Sequence, residues 1–109
     1  MKLTGKCKED FEKWFEIEHA THDVIENFYG HRTPSMQYGV YVDFFREDCK
    51  IWIEIISATK DTHWIKILGE DIMTPFYEFE PVTEFEGSYT EAREKAIEKA
   101  NDIYNQTKV

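Results

Sequence analysis

Residues 51–68 read IWIEIISATKDTHWIKIL, and this stretch decides the fold. Isoleucine occupies every second position at 51, 53 and 55 and again at 65 and 67. Alternation with a period of two, in a run rich in β-branched and aromatic residues, is typical of half-buried strands. The polar residues Ser57 to Thr62 separate the two runs and predict a turn. The sequence therefore predicts two antiparallel strands, Ile51–Ile56 and His63–Leu68.

The residues before this pair also alternate with a period of two. One face carries Met36, Tyr38, Val40, Val42 and Phe44, and the other carries Gln37, Gly39, Tyr41, Asp43 and Phe45. The three polar residues that follow, 46–48, predict a turn. The pattern thus predicts a strand over Met36–Phe45 that forms a hairpin with Ile51–Ile56. The expected sheet is a three-stranded antiparallel meander.

Both ends of the chain show the spacing of amphipathic helices. Near the N-terminus, apolar residues at 7, 11, 14 and 15 share one face after a capping candidate, Thr4. Near the C-terminus, Ser88 and Glu91 have the spacing of a capping box, and alanines at 92, 96 and 100 follow on one stripe. Thr21 is a candidate start for a further helix that is expected to end ahead of Pro34.

These elements predict one domain over residues 1–109 in the order α-β-β-β-α. A sheet that buries one apolar face has to be covered, so we expect the N- and C-terminal helices to pack on it. The predicted fold is a two-layer α+β sandwich. The segment from Gly69 to Gly87 is less regular because Pro75 and Pro81 bracket an aromatic and acidic run, and we expect a short edge strand or an ordered loop there.

The charge balance limits the classes of partner. The chain has 22 acidic and 13 basic residues, a net charge of −9, which disfavours nucleic acid and acidic headgroups and favours a basic protein surface. The apolar runs are far shorter than the roughly 20 residues of a membrane helix. Cys7 and Cys49 show no CxxC spacing, and no secretory signal is visible. We therefore expect a soluble protein with reduced thiols in a cytoplasm.

The surplus of aromatic residues suggests a contact surface. Both faces of the expected sheet carry apolar mass, so a face without helices would expose large side chains. The predicted partner-binding residues are Tyr41, Asp43, Phe45, Trp52, Glu54 and Trp64, with Ile56 and Lys66 beside them. The alternative is that the segment from Pro75 to Glu86 folds back and covers this face.

No catalytic motif is visible, and no cofactor is expected. His19 and His22, with Asp23 adjacent, would share one face of a helix, where zinc could bind as an alternative with His31 or a carboxylate as third ligand, but the Glu of HExxH is missing. Cys49 and His63 formally allow a thiolate and base pair, without the further groups that such chemistry requires. Structural roles are the expectation for both sets.

The α-β-β-β-α order and the final helix with Ala92, Ala96 and Ala100 after Ser88 resemble the double-stranded-RNA-binding domain. In that family the last helix begins with a pair of lysines that contact phosphates, and Tyr89 and Thr90 stand here instead. The resemblance implies RNA binding as an alternative function. It would need Lys6, Lys8, Lys13, Lys60, Lys66, Arg93 and Lys95 to gather on one side.

The opening MKLTGKCKEDFEKW, residues 1–14, and the closing YTEAR, residues 89–93, resemble small uncharacterised proteins of phages and mobile elements of Bacteroides-like bacteria. This resemblance implies an accessory, regulatory or host-directed role. The function predicted from the sequence is a non-enzymatic interaction module with an acidic and aromatic surface, which binds a protein, forms a homodimer or imitates nucleic acid toward a basic groove.

Overall fold

A computed structural model of the chain describes residues 1–19, 25–69, 77–78 and 81–108. The helices in these ranges are α1 (Gly5–His19), α2 (Ile25–His31), α3 (Pro34–Cys49) and α4 (Tyr89–Lys108). The strands are β1 (Ile51–Thr59), β2 (Thr62–Gly69), β3 (Tyr77–Glu78) and β4 (Thr83–Glu86). The predicted α+β class is confirmed. Thr21, the candidate start of the second helix, lies outside the described residues.

The sheet is antiparallel and three strands wide, with β2 in the centre. β1 pairs with β2 from Ile51 opposite Gly69 to Thr59 opposite Thr62, which confirms the antiparallel pair predicted for Ile51–Ile56 and His63–Leu68. The other edge of β2 is occupied twice, by β3 at its Gly69 end and by β4 at its Thr62 end. The segment between Gly69 and Gly87 therefore supplies the short edge strands that the sequence left open, and these complete the meander.

The strand predicted over Met36–Phe45 is wrong, because these residues lie within helix α3. Thr33 caps this helix, since its side-chain oxygen accepts a hydrogen bond from the backbone N–H of Met36 at 3.3 Å. Pro34 occupies the first turn, where its missing N–H costs nothing. Tyr41 and Phe45 add apolar side chains to the second face of the run, so the period of two competes with a helical spacing of 41, 44 and 45. The capping residues Thr33 and Pro34 decide between the two patterns.

Helix α3 ends without the glycine that usually marks such a stop. Lys50 adopts the left-handed conformation, with φ 57°, and its backbone N–H bonds to the carbonyl of Phe45. A non-glycine residue at this position gives no stop signal in the sequence. The chain then enters β1 directly at Ile51, which is fully buried.

The helices form a second layer on one face of the sheet, as the two-layer prediction requires. α3 and α4 contact the sheet, and α1 packs against α3 and α4. The predicted alanine stripe is confirmed, because Ala92, Ala96 and Ala100 are all fully buried and allow α4 to lie close to the strands. The predicted core position of Cys7 is also confirmed, and its burial raises the pKa of the thiol.

Aromatic rings join the three N-terminal helices. Phe11 of α1 lies 5.2 Å from Phe28 of α2, 4.9 Å from Tyr41 of α3 and 5.3 Å from Phe44, measured between ring centroids. All four side chains are fully buried. Tilted and edge-on contacts at such distances add about 0.5 to 1.5 kcal/mol each to the gain from burial. The aromatic surplus of the sequence is thus partly used in this cluster.

Candidate functional site

The sheet has an inner face against the helices and an outer face away from them. Ile51, Ile65 and Ile67 are buried on the inner face, and the residues between them in the ladder point the other way. These residues form the outer face. They are Trp52, Glu54 and Ile56 from β1, Thr62, Trp64, Lys66 and Leu68 from β2, and Glu84 and Glu86 from β4.

Cross-strand pairing sets the order of these side chains. Ile56 lies directly opposite Trp64, and Trp64 lies opposite Glu84 on its other side. Ile56 is 43% exposed, and Trp64, on the central strand, is 38% exposed. This pair therefore presents an apolar surface to the outside, bordered by a carboxylate.

The other end of the outer face has a second aromatic group. Trp52 is half-buried and pairs across the ladder with Leu68. The guanidinium carbon of Arg46, in the last turn of α3, lies 4.3 Å from the centre of the Trp52 ring. At that distance the cation is attracted to the face of the ring. Between the two apolar pairs, Glu54 stands opposite Lys66.

The outer face carries more negative than positive charge. Glu54, Glu84 and Glu86 give three negative charges against the two positive charges of Lys66 and of Arg46, whose guanidinium lies on the Trp52 ring, a net charge of −1 among these residues. All three glutamates are exposed, so they need no partner within the chain. A face of this kind combines apolar contact area with an acidic rim.

The structure separates the predicted partner-binding residues into two groups. Trp52, Glu54 and Trp64 lie together on the outer face as predicted. Tyr41 and Phe45 were predicted there and are instead fully buried in α3. The cause is the helix, because it turns both side chains toward the core. Asp43 is exposed and lies on α3, not on a strand of the sheet.

Other contributors to this face were missed by the sequence prediction. The sequence predicts a turn at Arg46 and an irregular segment around Glu84 and Glu86, whereas the structure has them in α3 and β4. The alternation of Thr83, Glu84, Phe85 and Glu86 was the available signal, since Phe85 packs on the core while both glutamates are exposed. The described parts of the segment Pro75 to Glu86 extend the sheet at its edge, and Pro75 itself lies outside the described residues.

His63 is buried at the other side of the sheet and connects three elements. Its Nδ1 lies 2.8 Å from the hydroxyl of Ser57, and its Nε2 lies 3.1 Å from the carbonyl oxygen of Gly87. A carbonyl oxygen can only accept a hydrogen bond, so Nε2 carries the proton that it donates to Gly87. In the neutral ring, Nδ1 then accepts a hydrogen bond from the Ser57 hydroxyl. The ring also packs against Tyr89 at 5.7 Å. These contacts fix the start of α4 to the hairpin.

The pair of Cys49 and His63 is not brought together. Cys49 is the last residue of α3, two residues before Ile51, and Ile51 pairs with Gly69 at one end of the ladder. His63 pairs with Ser57 near the opposite end of the same ladder. In the described ranges, no group of three or more histidine, cysteine, aspartate or glutamate side chains is placed to hold a metal ion. The zinc alternative rested on His22 and Asp23, which lie outside those ranges, and on the side chain of His19, which is not described.

The basic residues named for nucleic-acid binding do not lie on one side. Lys6 forms an ion pair with Asp10 at 3.0 Å on α1, and Lys95 forms one with Glu98 at 3.3 Å on α4. Lys66 lies on the outer face, across the sheet from the helices. This distribution gives no continuous basic stripe among these residues.

No known protein family, curated protein or solved structure matches this chain. Within the described ranges, none of the helices combines the length and apolar character needed to cross a membrane.

Proposed function

We propose that this chain is a non-enzymatic module that binds a protein partner through the outer face of its sheet. The observation that carries the proposal is the exposed pair of Ile56 and Trp64 on a face that the described helices do not cover. Large apolar side chains in contact with water are an uncompensated cost for an isolated domain, and a partner that covers them removes it. Tryptophan is also the side chain most enriched at binding hot spots.

The acidic rim favours a partner with a basic surface. Glu84 and Glu86 lie beside the apolar pair, and the whole chain has a net charge of −9. Complementary charge speeds encounter and excludes acidic competitors, while the apolar centre supplies affinity. A basic groove that otherwise holds nucleic acid is one such surface, so inhibition by mimicry falls within this proposal. The resemblance to phage proteins supports a host-directed role of this kind.

Binding to a bacterial lysate with matched variants tests the proposal. Immobilised wild-type chain is expected to retain a specific protein, and Trp64→Ser is expected to lose it. The matched control is Ile17→Ser, because Ile17 is 78% exposed but lies on α1, away from the outer face. Equal retention by wild type and Trp64→Ser, or loss by Ile17→Ser as well, would count against the proposal.

Charge variants separate the two parts of the surface. Glu84→Gln and Glu86→Gln together are expected to weaken binding mainly by slowing association and to reduce its dependence on salt. The Trp64→Ser variant is expected to raise the dissociation rate instead. Duplex RNA at low salt serves as the opposite probe, and the proposal predicts no gel shift with it.

A further inference from the structure

The outer edge of β1 has the properties of a strand that accepts another strand. In the part of the chain that the structure describes, β1 pairs only with β2, so no described strand lies along its second edge. The strand is nine residues long and carries one charged residue, Glu54. Proteins usually protect such an edge with lysine, proline or a very short strand. β1 has none of these features, and its one irregularity lies near its end, between Ser57 and Thr59.

A shallow depression lies beside the first half of β1. It is lined by Trp52, Ile53 and Glu54 of β1 together with Arg46 of α3 and Leu68 of β2. Trp52 and Glu54 belong to the outer face, and Ile53 belongs to the inner face. Ile53 and Ile55 are only half-buried although they pack against the core. A strand added here would bury the remaining area of both isoleucines.

We propose that a second copy of this chain occupies this edge, with the two β1 strands antiparallel about a two-fold axis at Ile53. In an antiparallel pair, opposed residues lie on the same face. A two-fold axis perpendicular to the sheet therefore joins inner face to inner face, so that Ile51 of one copy opposes Ile55 of the other. All helices stay on one side, and the result is a continuous sheet six strands wide.

Charge and the extent of the regular strand favour this register, and the charge favours a second copy over a foreign strand. With the axis at Ile53, Trp52 opposes Glu54 of the second copy, which places that carboxylate beside the guanidinium of Arg46 over the Trp52 ring. The symmetry makes this contact twice. An axis at Glu54 would oppose two carboxylates. An axis at Trp52 would oppose Glu54 and Lys50, but Lys50 has the left-handed φ of 57° and lies outside β1, which leaves only Ile51–Ile53 to pair. An axis at Ile55 would bring the irregularity between Ser57 and Thr59 into the ladder, whereas the register at Ile53 lies before it.

This inference goes beyond the proposed function, because it concerns the edge of β1 and not the pair on the outer face. The dimer would join two outer faces into one surface, with a Trp64 on each side of the axis. Trp64 lies on β2 and takes no part in the β1 contact. The Trp64→Ser variant is therefore expected to lose the partner of the outer face while it remains a dimer, which keeps failure of the two proposals distinguishable.

A charge exchange tests the dimer by sedimentation equilibrium at several protein concentrations. Wild type is expected to be a dimer, and Arg46→Glu or Glu54→Arg alone is expected to weaken dimerisation by about tenfold or more because like charges then meet twice. The double variant R46E/E54R is expected to recover dimerisation. Glu94→Arg is the matched control, because it makes the same change of charge on the exposed side of α4 and is expected to stay dimeric.

Circular dichroism of each variant shows whether it is folded. The proposal is overturned if folded wild type is monomeric up to high protein concentration, if either single exchange dimerises as well as wild type, or if the double variant stays as weak as the single ones. A wild-type chain that is monomeric but captures an unrelated strand at β1 also overturns it, in favour of a foreign partner at the same edge.

Discussion

The side-chain oxygen of Asn105 accepts a hydrogen bond from the backbone N–H of Cys7 at 2.8 Å, so the last helix caps the first. Asn101, one turn earlier on α4, accepts from the backbone N–H of Thr4 at 2.9 Å and donates to the Thr4 hydroxyl at 3.0 Å. Backbone N–H groups at the start of a helix have no partner within that helix. Two asparagines therefore satisfy the start of α1 from the far end of the chain.

Replacement of Asn105 by alanine is expected to lower the free energy of unfolding by about 1 to 2 kcal/mol, the usual effect of losing a helix cap. Gln106→Ala is the control, since Gln106 is exposed on the same helix, and it is expected to change stability by less than about 0.5 kcal/mol. Urea denaturation followed by circular dichroism measures both. Equal midpoints for the two variants would show that the Asn105 contact contributes nothing.

Two glycines are expected to respond to alanine in opposite directions. Gly5 has φ +59°, and a Cβ there would lie 3.2 Å from the side-chain oxygen of Asn105, so Gly5→Ala is expected to destabilise by about 1 kcal/mol or more. Gly39 lies within α3 with no atom near its missing Cβ, so Gly39→Ala is expected to stabilise by about 0.5 to 1 kcal/mol. Thermal unfolding compares them, and a shift of the same sign in both variants would contradict the geometry.

Two buried tyrosines differ in what their hydroxyl groups contact. The Tyr104 hydroxyl lies 2.7 Å from carboxylate oxygens of both Asp10 and Asp48, whereas the Tyr41 hydroxyl has no hydrogen-bond partner among the described residues. Tyr104→Phe is expected to destabilise by about 1.5 kcal/mol, and Tyr41→Phe is expected to leave stability unchanged or raise it. Burial raises the pKa of Tyr41 to about 12. Denaturant titration of both variants is the test, and a larger loss in Tyr41→Phe would refute the assignment.

Acid is expected to weaken the contact between α1, α3 and α4. Burial opposes ionisation of Asp10, but the hydrogen bonds from Tyr104 and Lys6 outweigh it and hold the pKa of this carboxyl below its ordinary value of 3.8. A lowered folded-state pKa means that the stabilisation is present above the unfolded-state value and is lost as pH falls through the folded-state value. Unfolding free energies of wild type and Asp10→Asn should therefore converge below about pH 4. A difference that stays constant down to pH 2 would contradict this origin.

The sequence predicts correctly those elements whose hydrophobic or capping pattern matches the contacts that they make in the fold. β1 and β2 alternate because one face packs on helices, and α4 shows both a capping box and an alanine stripe that the structure uses. The hydroxyl and backbone of Ser88 exchange hydrogen bonds with Glu91, each at 3.1 Å. These signals are local, so the sequence carries them in full.

The part that failed depends on competition between signals. If residues 36–45 formed a strand, they would carry apolar side chains on both of its faces, whereas in the helix the buried side chains share one face. Only Thr33 and Pro34, which mark the start of a helix, distinguish these two structures in the sequence. The error also affects the site, because the predicted strand places Tyr41 and Phe45 on a surface that they do not reach.

The sequence does not predict the acidic rim, for a different reason. Glu84 and Glu86 join Trp64 through pairing with β2, which spacing in the sequence does not reveal.

The most direct test of the central claim is the affinity of the protein retained from the lysate, titrated against wild type, Trp64→Ser and Ile17→Ser by calorimetry. Recognition through the outer face predicts that Trp64→Ser raises Kd by about 30-fold or more, the loss of a hot-spot residue, while Ile17→Ser leaves Kd within about twofold of wild type. Equal Kd values for wild type and Trp64→Ser, with all three chains folded, would contradict the account.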